Sequence, residues 1–151
     1  DRAQVLGVPA CVPGSAGKAV AWVLDQIRDY SGITVFAEDN NFGGVLNEQL
    51  RREARSAGQP MRVVDRHTGH DRKAEWIHAF ASALERDDVV LPRDPALRQE
   101  LLGFRAQPLP SGAVRLAAQG REHDDRVMAL ALLLAHLPAV GGTQRTLYEV
   151  F

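Results

Sequence analysis

Apolar residues recur along the chain with two periods, and the switches between them mark out strands and helices. The run QVLGV at 4–8 predicts a short strand. Pro9, Pro13 and Gly14 then break regular structure. Over 17–30, Val20, Val23, Leu24 and Ile27 follow an i, i+3, i+4, i+7 spacing, one face of an amphipathic helix, with Ser31-Gly32 as its exit. ITVFAE at 33–38 is β-branched and aromatic and apolar until its last residue, which predicts a buried central strand of a parallel or mixed sheet.

A helix is expected over about 44–57, with Val45, Leu46 and Leu50 inward and Glu48 and Arg52 paired at i, i+4 on the wet side. A strand at 61–64 precedes a helix over about 72–86 whose core stripe reads Ile77, Phe80, Ala81 and Leu84. A very short strand at 89–91 leads to Asp94-Pro95, an N-cap followed by proline at the first helical position, and to a short helix with Leu97, Leu101 and Leu102. The segments 104–107 and 113–117 flank PLPSG and predict a β-hairpin. The final long helix is expected over about 124–136, with Val127, Leu130, Ala131 and Leu134 inward; the tail after Gly141-Gly142 is expected to be peripheral. Alternating strands and helices predict an α/β sheet covered by helices.

Composition narrows this little. With 151 residues, 45% of them hydrophobic and 25% charged, the chain fits one soluble domain, 1–151, able to bury a core without disulfides. Its one cysteine, Cys11, permits no internal disulfide and reads as a small buried apolar residue rather than a nucleophile. No apolar run approaches the roughly 20 residues that span a bilayer, so no membrane partner is expected. The net charge of −1 provides no overall attraction to nucleic acid. DNA binding would rest on a local basic face, or on metal ions that offset acidic groups.

Two acidic clusters carry the candidate chemistry. Glu38-Asp39-Asn40-Asn41-Phe42-Gly43 follows the apolar strand, and its Glu38 stands at the carboxyl edge of the sheet, where ligands bind in open α/β folds. A carboxylate ending a buried strand is costly without a partner or a metal. His123-Asp124-Asp125 opens the last helix. Phosphodiester hydrolysis uses two divalent ions about 3.5–4 Å apart, held by hard oxygen ligands drawn from distant parts of a sequence. The plainer readings are that Asp124 is a helix N-cap and that Asp39-Asn40 is a strand-to-helix turn.

Other motifs are weaker. Gly14-Ser15-Ala16-Gly17-Lys18-Ala19 is too short for a phosphate-binding loop, and Ala19 replaces the hydroxyl residue that would hold magnesium. His67 and His70 lack a second ligand pair. Arg62, Arg66, Arg72 and Lys73, with Arg51, Arg52 and Arg55, form either a basic surface for DNA phosphates or a solvated helix face. Arg105 and Arg115 would reach a duplex if they face each other across the hairpin.

The string VFAEDNNFGGVLNEQL resembles the second acidic motif of the nuclease domains of phage terminase large subunits. HTGHDRKAEWIHAFASALERDDVVLP resembles that family's next segment, in which a basic residue precedes a helix. GAVRLAAQGREHDDRVMALALLLAHL resembles its final motif, a hairpin strand, His-Asp-Asp and an Ala/Leu-rich helix. The resemblance covers about residues 26 to 137, with the motifs in order. It implies an RNase H-like mixed sheet flanked by helices and a two-metal endonuclease that cleaves double-stranded DNA during viral genome packaging.

On that resemblance Glu38 matches the second acid, and Asp124 and Asp125 the last acidic pair, as catalytic and metal-binding residues for Mg2+ or Mn2+. Helix phase favours Asp124 pointing at the sheet, since it shares a face with Val127 and Ala131. Arg72, Lys73, Arg105, Arg115 and His123 would contact nucleic acid. The expected partners are double-stranded DNA, a terminase ATPase domain and a portal protein. The expected setting is the host cytoplasm, with a viral or prophage origin. The family's first acid has no match: DRAQVLGV looks like its second strand, so the sheet is expected to lack the first one. The second reading that follows is a catalytically incomplete terminase-like module that binds DNA or a partner.

Overall fold

A computed structural model describes residues 3–7, 15–39, 43–59, 61–108, 114–118, 124–137 and 147–149. They fall into two compact units, one formed by residues 11–69 and the other by residues 1–10 and 70–151.

In the 11–69 unit the order is α1 (Ala16–Gln26), β2 (Thr34–Glu38), α2 (Gly43–Ser56) and β3 (Arg62–Arg66), where β1 precedes them in the chain as Ala3–Gly7. β2 and β3 run parallel and in register, from Thr34 opposite Arg62 to Glu38 opposite Arg66. Parallel neighbours need a crossover, and α2 supplies it. Helix α2 packs on both strands and against α1. Val20, Ile27, Leu50 and Ala54 are buried.

The ends of α2 follow from its glycines. Gly58 adopts a left-handed φ of +66°. Its N–H donates to the Arg55 carbonyl and that of Gln59 to the Ala54 carbonyl, closing the last turn as a Schellman motif. At the other end, a Cβ on Gly43 would overlap the Glu38 carbonyl oxygen and lie 3.1 Å from its carbon. Only glycine lets the first turn of α2 approach the end of β2 so closely.

In the other unit, β1 lies between β4 (Val89–Val90) and β7 (Leu147–Glu149), parallel to both. The remaining elements are α3 (His70–Glu85), α4 (Pro95–Gly103), the antiparallel hairpin of β5 (Phe104–Pro108) and β6 (Val114–Ala118), and α5 (Asp125–His136). Helix α5 packs against α3 and α4. Val127, Leu130 and Ala131 on α5, Trp76, Phe80 and Ala83 on α3, and Leu97 on α4 are buried. Trp76 also meets His136 edge to face, with ring centroids 5.5 Å apart. Asp94 caps α4 as expected, accepting the Leu97 N–H at 2.7 Å, with Pro95 in the first turn.

Several expectations are corrected. α1 ends at Gln26 rather than near Tyr30. β2 is half-buried with exposed ends rather than a buried central strand, and among the described residues it pairs only with β3. Val45 is 69% exposed, and the buried face of α2 is Asn47, Leu50 and Ala54. Ala81 and Leu84 are exposed because Trp76, Phe80 and Ala83 set the buried face of α3. Leu102 on α4 is exposed too. Glu48 pairs with Arg51 at i, i+3 rather than with Arg52. Among the described residues no helix is long and apolar enough to cross a membrane.

Candidate active site

Glu38 ends β2 and is exposed, so the cost of burying its charge does not arise. Its place is fixed through the backbone. Its carbonyl meets the first turn of α2 at Gly43 and accepts a long 3.4 Å hydrogen bond from Asn47 Nδ2. The next residue, Asp39, donates its N–H to the Arg66 carbonyl at 3.1 Å, which extends the ladder beyond β2. The Asp39 carboxylate stands 3.2 Å from His67 Nδ1. Thus the carboxyl ends of β2 and β3 present Glu38, Asp39 and His67 together on one edge.

A polar lock beneath this edge escaped the sequence reading. Asn47 is 2% exposed, and its amide donates to Asp65 Oδ1 at 2.7 Å. Arg51 donates to the other Asp65 oxygen, to the Val63 carbonyl at 3.2 Å and to Glu48 at 2.5 Å. Burial opposes ionisation of Asp65, but hydrogen bonds from Arg51 and Asn47 and the charge of Arg51 outweigh it and hold the carboxyl below its ordinary range. The lock ties α2 to β3 one position before the Glu38–Arg66 pair, because Asp65 is opposite Ala37. The legible signal was a polar residue at 47 in phase with Leu50 and Ala54. Arg51, counted above with the basic surface, is committed to two carboxylates.

Asp124 stands at the N-cap position of α5 and is half-buried; Asp125, the first helical residue, is exposed. The capping reading of Asp124 is not what the geometry gives. Its side chain makes no capping hydrogen bond. The N–H groups of Arg126 and Val127 are taken instead by Glu100 Oε2 from α4, at 2.9 and 3.3 Å. Glu100 is 7% exposed, and its other oxygen accepts from Arg126 Nη1 at 2.6 Å. Sequence gave no sign of this partner, which lies 26 residues from Arg126.

Arg72 and Lys73 are exposed within the first turn of α3, not before it, because the helix starts at His70. Cations in a first turn are disfavoured by the helix dipole. Arg105 is exposed on β5 and donates to the Phe104 carbonyl at 2.8 Å. The hairpin register sets Arg105 opposite Ala117 and Arg115 opposite Gln107, so the two arginines are not cross-strand partners. His123, Cys11, Asn40, Asn41, Phe42 and the side chains of His70 and Arg115 lie outside the described residues.

Among the described residues no group of three or more His, Cys, Asp or Glu side chains is placed to hold a metal ion. Each unit instead offers neighbouring carboxylates: Glu38 and Asp39 in one, Asp124 and Asp125 in the other. Carboxylate oxygens are the donors that hard divalent cations take.

No protein-family model matches the chain. It is 30% identical over 147 residues to the terminase large subunit of Thermus phage G20c, a match covering 95% of this chain and 29% of that protein. It is 30% identical over 122 residues to the terminase large subunit of Thermus virus P23-45, covering 81% of this chain and 24% of that one. The chain therefore spans well under half the length of these relatives. Among solved structures, it matches the large terminase nuclease from thermophilic phage G20c with a TM-score of 0.70 and 27% identity, over 83% of this chain and 64% of that one. Crystal structures of that nuclease with bound cobalt and with bound magnesium match with TM-scores of 0.68 and 0.65, at 28% and 27% identity. They cover 82% of this chain in both cases, and 63% and 62% of the nuclease chain.

Proposed function

From a chain that belongs with the nuclease domains of phage large terminases and has their RNase H-like α/β fold, we propose a metal-dependent endonuclease that cleaves double-stranded DNA during viral genome packaging. The observation that carries this reading is a carboxylate at each of two element ends: Glu38, exposed at the end of β2, and Asp124, at the N-cap position of α5 without a capping hydrogen bond. The magnesium and cobalt bound by the related nuclease support a divalent cofactor, here Mg2+ or Mn2+.

Bound divalent ions supply an activated water and offset charge on the leaving 3′-oxygen. Glu38, Asp124 and Asp125 would hold them as carboxylate ligands; no serine or cysteine nucleophile is needed. The Asn47–Asp65–Arg51 lock and Gly43 hold the strand end from which Glu38 projects. Arg72, Lys73 and Arg105, with Arg115 and His123, would hold DNA phosphates, which fixes position without base readout. We propose that residues 1–151 serve as one nuclease domain, working with a terminase ATPase domain and a portal protein in the host cytoplasm.

The second reading is a catalytically incomplete module that binds DNA or a partner. Plasmid cleavage with Mg2+ or Mn2+ separates the two. The nuclease reading expects nicked and linear product that disappears in Glu38→Ala and in Asp124→Ala/Asp125→Ala. Cleavage unchanged by these substitutions would reject the site. DNA binding without cleavage under any divalent ion would establish the second reading.

A further inference from the structure

We propose that Glu100 is a positioning residue for the acidic pair, holding the start of α5 so that the Asp124 carboxylate is left available as a metal ligand. The inference rests on the metal-binding reading of Asp124.

The geometry is that of a cap supplied from another helix. The N–H groups of residues 126 and 127 at the start of α5 have no partner within their own helix, and an N-cap carboxylate at 124 ordinarily accepts from them. Here Glu100 takes both through one oxygen, at 2.9 and 3.3 Å, and spends its other oxygen on the Arg126 guanidinium at 2.6 Å. The side chain is 8% exposed, so water competes little for these bonds. The N–H groups of Arg126 and Val127 are thus satisfied without the Asp124 carboxylate, although Asp124 still sits at the N-cap position with φ −125° and ψ 19°.

Glu100 lies on α4, whose own start is fixed by the Asp94 cap and Pro95. Displacing α4 would move Glu100 with it. Arg126 offsets the Glu100 charge on the spot, which keeps a third carboxylate beside Asp124 and Asp125 from repelling them. Without Glu100, the acceptor that an N-cap position ordinarily offers these N–H groups is the side chain of Asp124. Its carboxylate would fold back onto the helix, away from any ligand.

A double-mutant cycle read by thermal unfolding tests this without metal. With Glu100 present, Asp124→Ala is expected to leave Tm within about 1 °C. In the Glu100→Ala background, where Asp124 would have become the cap, the same change is expected to lower Tm by a further 2–4 °C or so. Additive shifts would overturn the proposal. If Glu100→Ala does not fold, Glu100→Gln replaces it: it retains an acceptor for the N–H groups, so Asp124→Ala should again cost little.

Binding of Mn2+ alone, followed by electron paramagnetic resonance on the folded variants, supplies the second readout. Glu100→Ala is expected to weaken it about tenfold, with Glu100→Gln closer to wild type. Unchanged Mn2+ affinity in Glu100→Ala would overturn the link to metal. Coupled Tm shifts with Mn2+ binding indifferent to Asp124→Ala would keep the cap and reject Asp124 as a ligand, so the two failures are distinct.

Discussion

Two adjacent glycines give the sharpest stability test, because they begin the same helix and differ in one contact. A Cβ at Gly43 would overlap the Glu38 carbonyl oxygen and approach its carbon to 3.1 Å, whereas a Cβ at Gly44 meets nothing within 4 Å. Carbon–carbon contacts relax near 3.5–4.0 Å, so Gly43→Ala demands a shift of roughly 1 Å between two backbones. Neither side yields readily: Glu38 is paired opposite Arg66, and α2 is locked to β3 through Asn47 and Arg51. Forcing atoms into such a site costs about 1–3 kcal/mol. Replacing a helical glycine by alanine otherwise contributes about 0.5–1 kcal/mol of stability. Gly44→Ala should therefore be stabilising, and Gly43→Ala less stable than Gly44→Ala by about 1–3 kcal/mol. In urea, with a slope near 2 kcal/mol/M, that is a midpoint difference of about 0.5–1.5 M. Circular dichroism gives the unfolding curves, and Trp22 on α1 reports the same unit by fluorescence. Equal midpoints for the two variants would refute the close approach of α2 to Glu38, and with it the account of how that carboxylate is placed.

Other outcomes follow from particular residues. Asp65 is held below its ordinary range in the folded chain, so its contribution is fully present above its unfolded value near pH 4 and is lost as pH falls through the lower folded value. Asp65→Asn should lower stability at pH 7 and flatten its decline below about pH 4; a decline as steep as wild type contradicts the lock. Gly58→Ala, at φ +66°, should destabilise by about 1 kcal/mol in the same urea assay, and a neutral result contradicts the Schellman ending of α2. Leu130→Ala empties a site with 0% exposure and should cost about 2–5 kcal/mol by thermal or urea unfolding; a cost under about 1 kcal/mol refutes the packing of α5. Removing Arg72 and Lys73 together should weaken duplex binding regardless of sequence and reduce the slope of log affinity against log salt by about 2. An unchanged slope removes these two from the DNA surface.

Much of the element order was legible because it rests on local rules. The Asp94-Pro95 start, the hairpin around PLPSG and the α5 stripe of Val127, Leu130 and Ala131 follow from capping, turn chemistry and period. Where the reading slipped, tertiary packing decides. On α3 the periodic pattern admitted Ala81 and Leu84, but the large rings of Trp76 and Phe80 turn the helix so that Ala83 is inside. On α2, Val45 is apolar and exposed while Asn47 is polar and buried, an inversion that makes sense only once Asp65 and the Glu38 carbonyl are seen as its partners. Glu38, Asp124 and Asp125 were visible as acids at element ends. What holds them there was not, since Gly43 answers to a carbonyl five residues back and Glu100 to a helix end 26 residues on.

The most direct test of the central claim is to locate a metal. Crystals soaked in Mn2+ give an anomalous signal that marks the ion against its ligands. The proposal predicts a peak bound to carboxylate oxygens of Glu38, Asp124 or Asp125. A peak held elsewhere, as at Asp39 and His67, or no peak at concentrations that support cleavage, would contradict it.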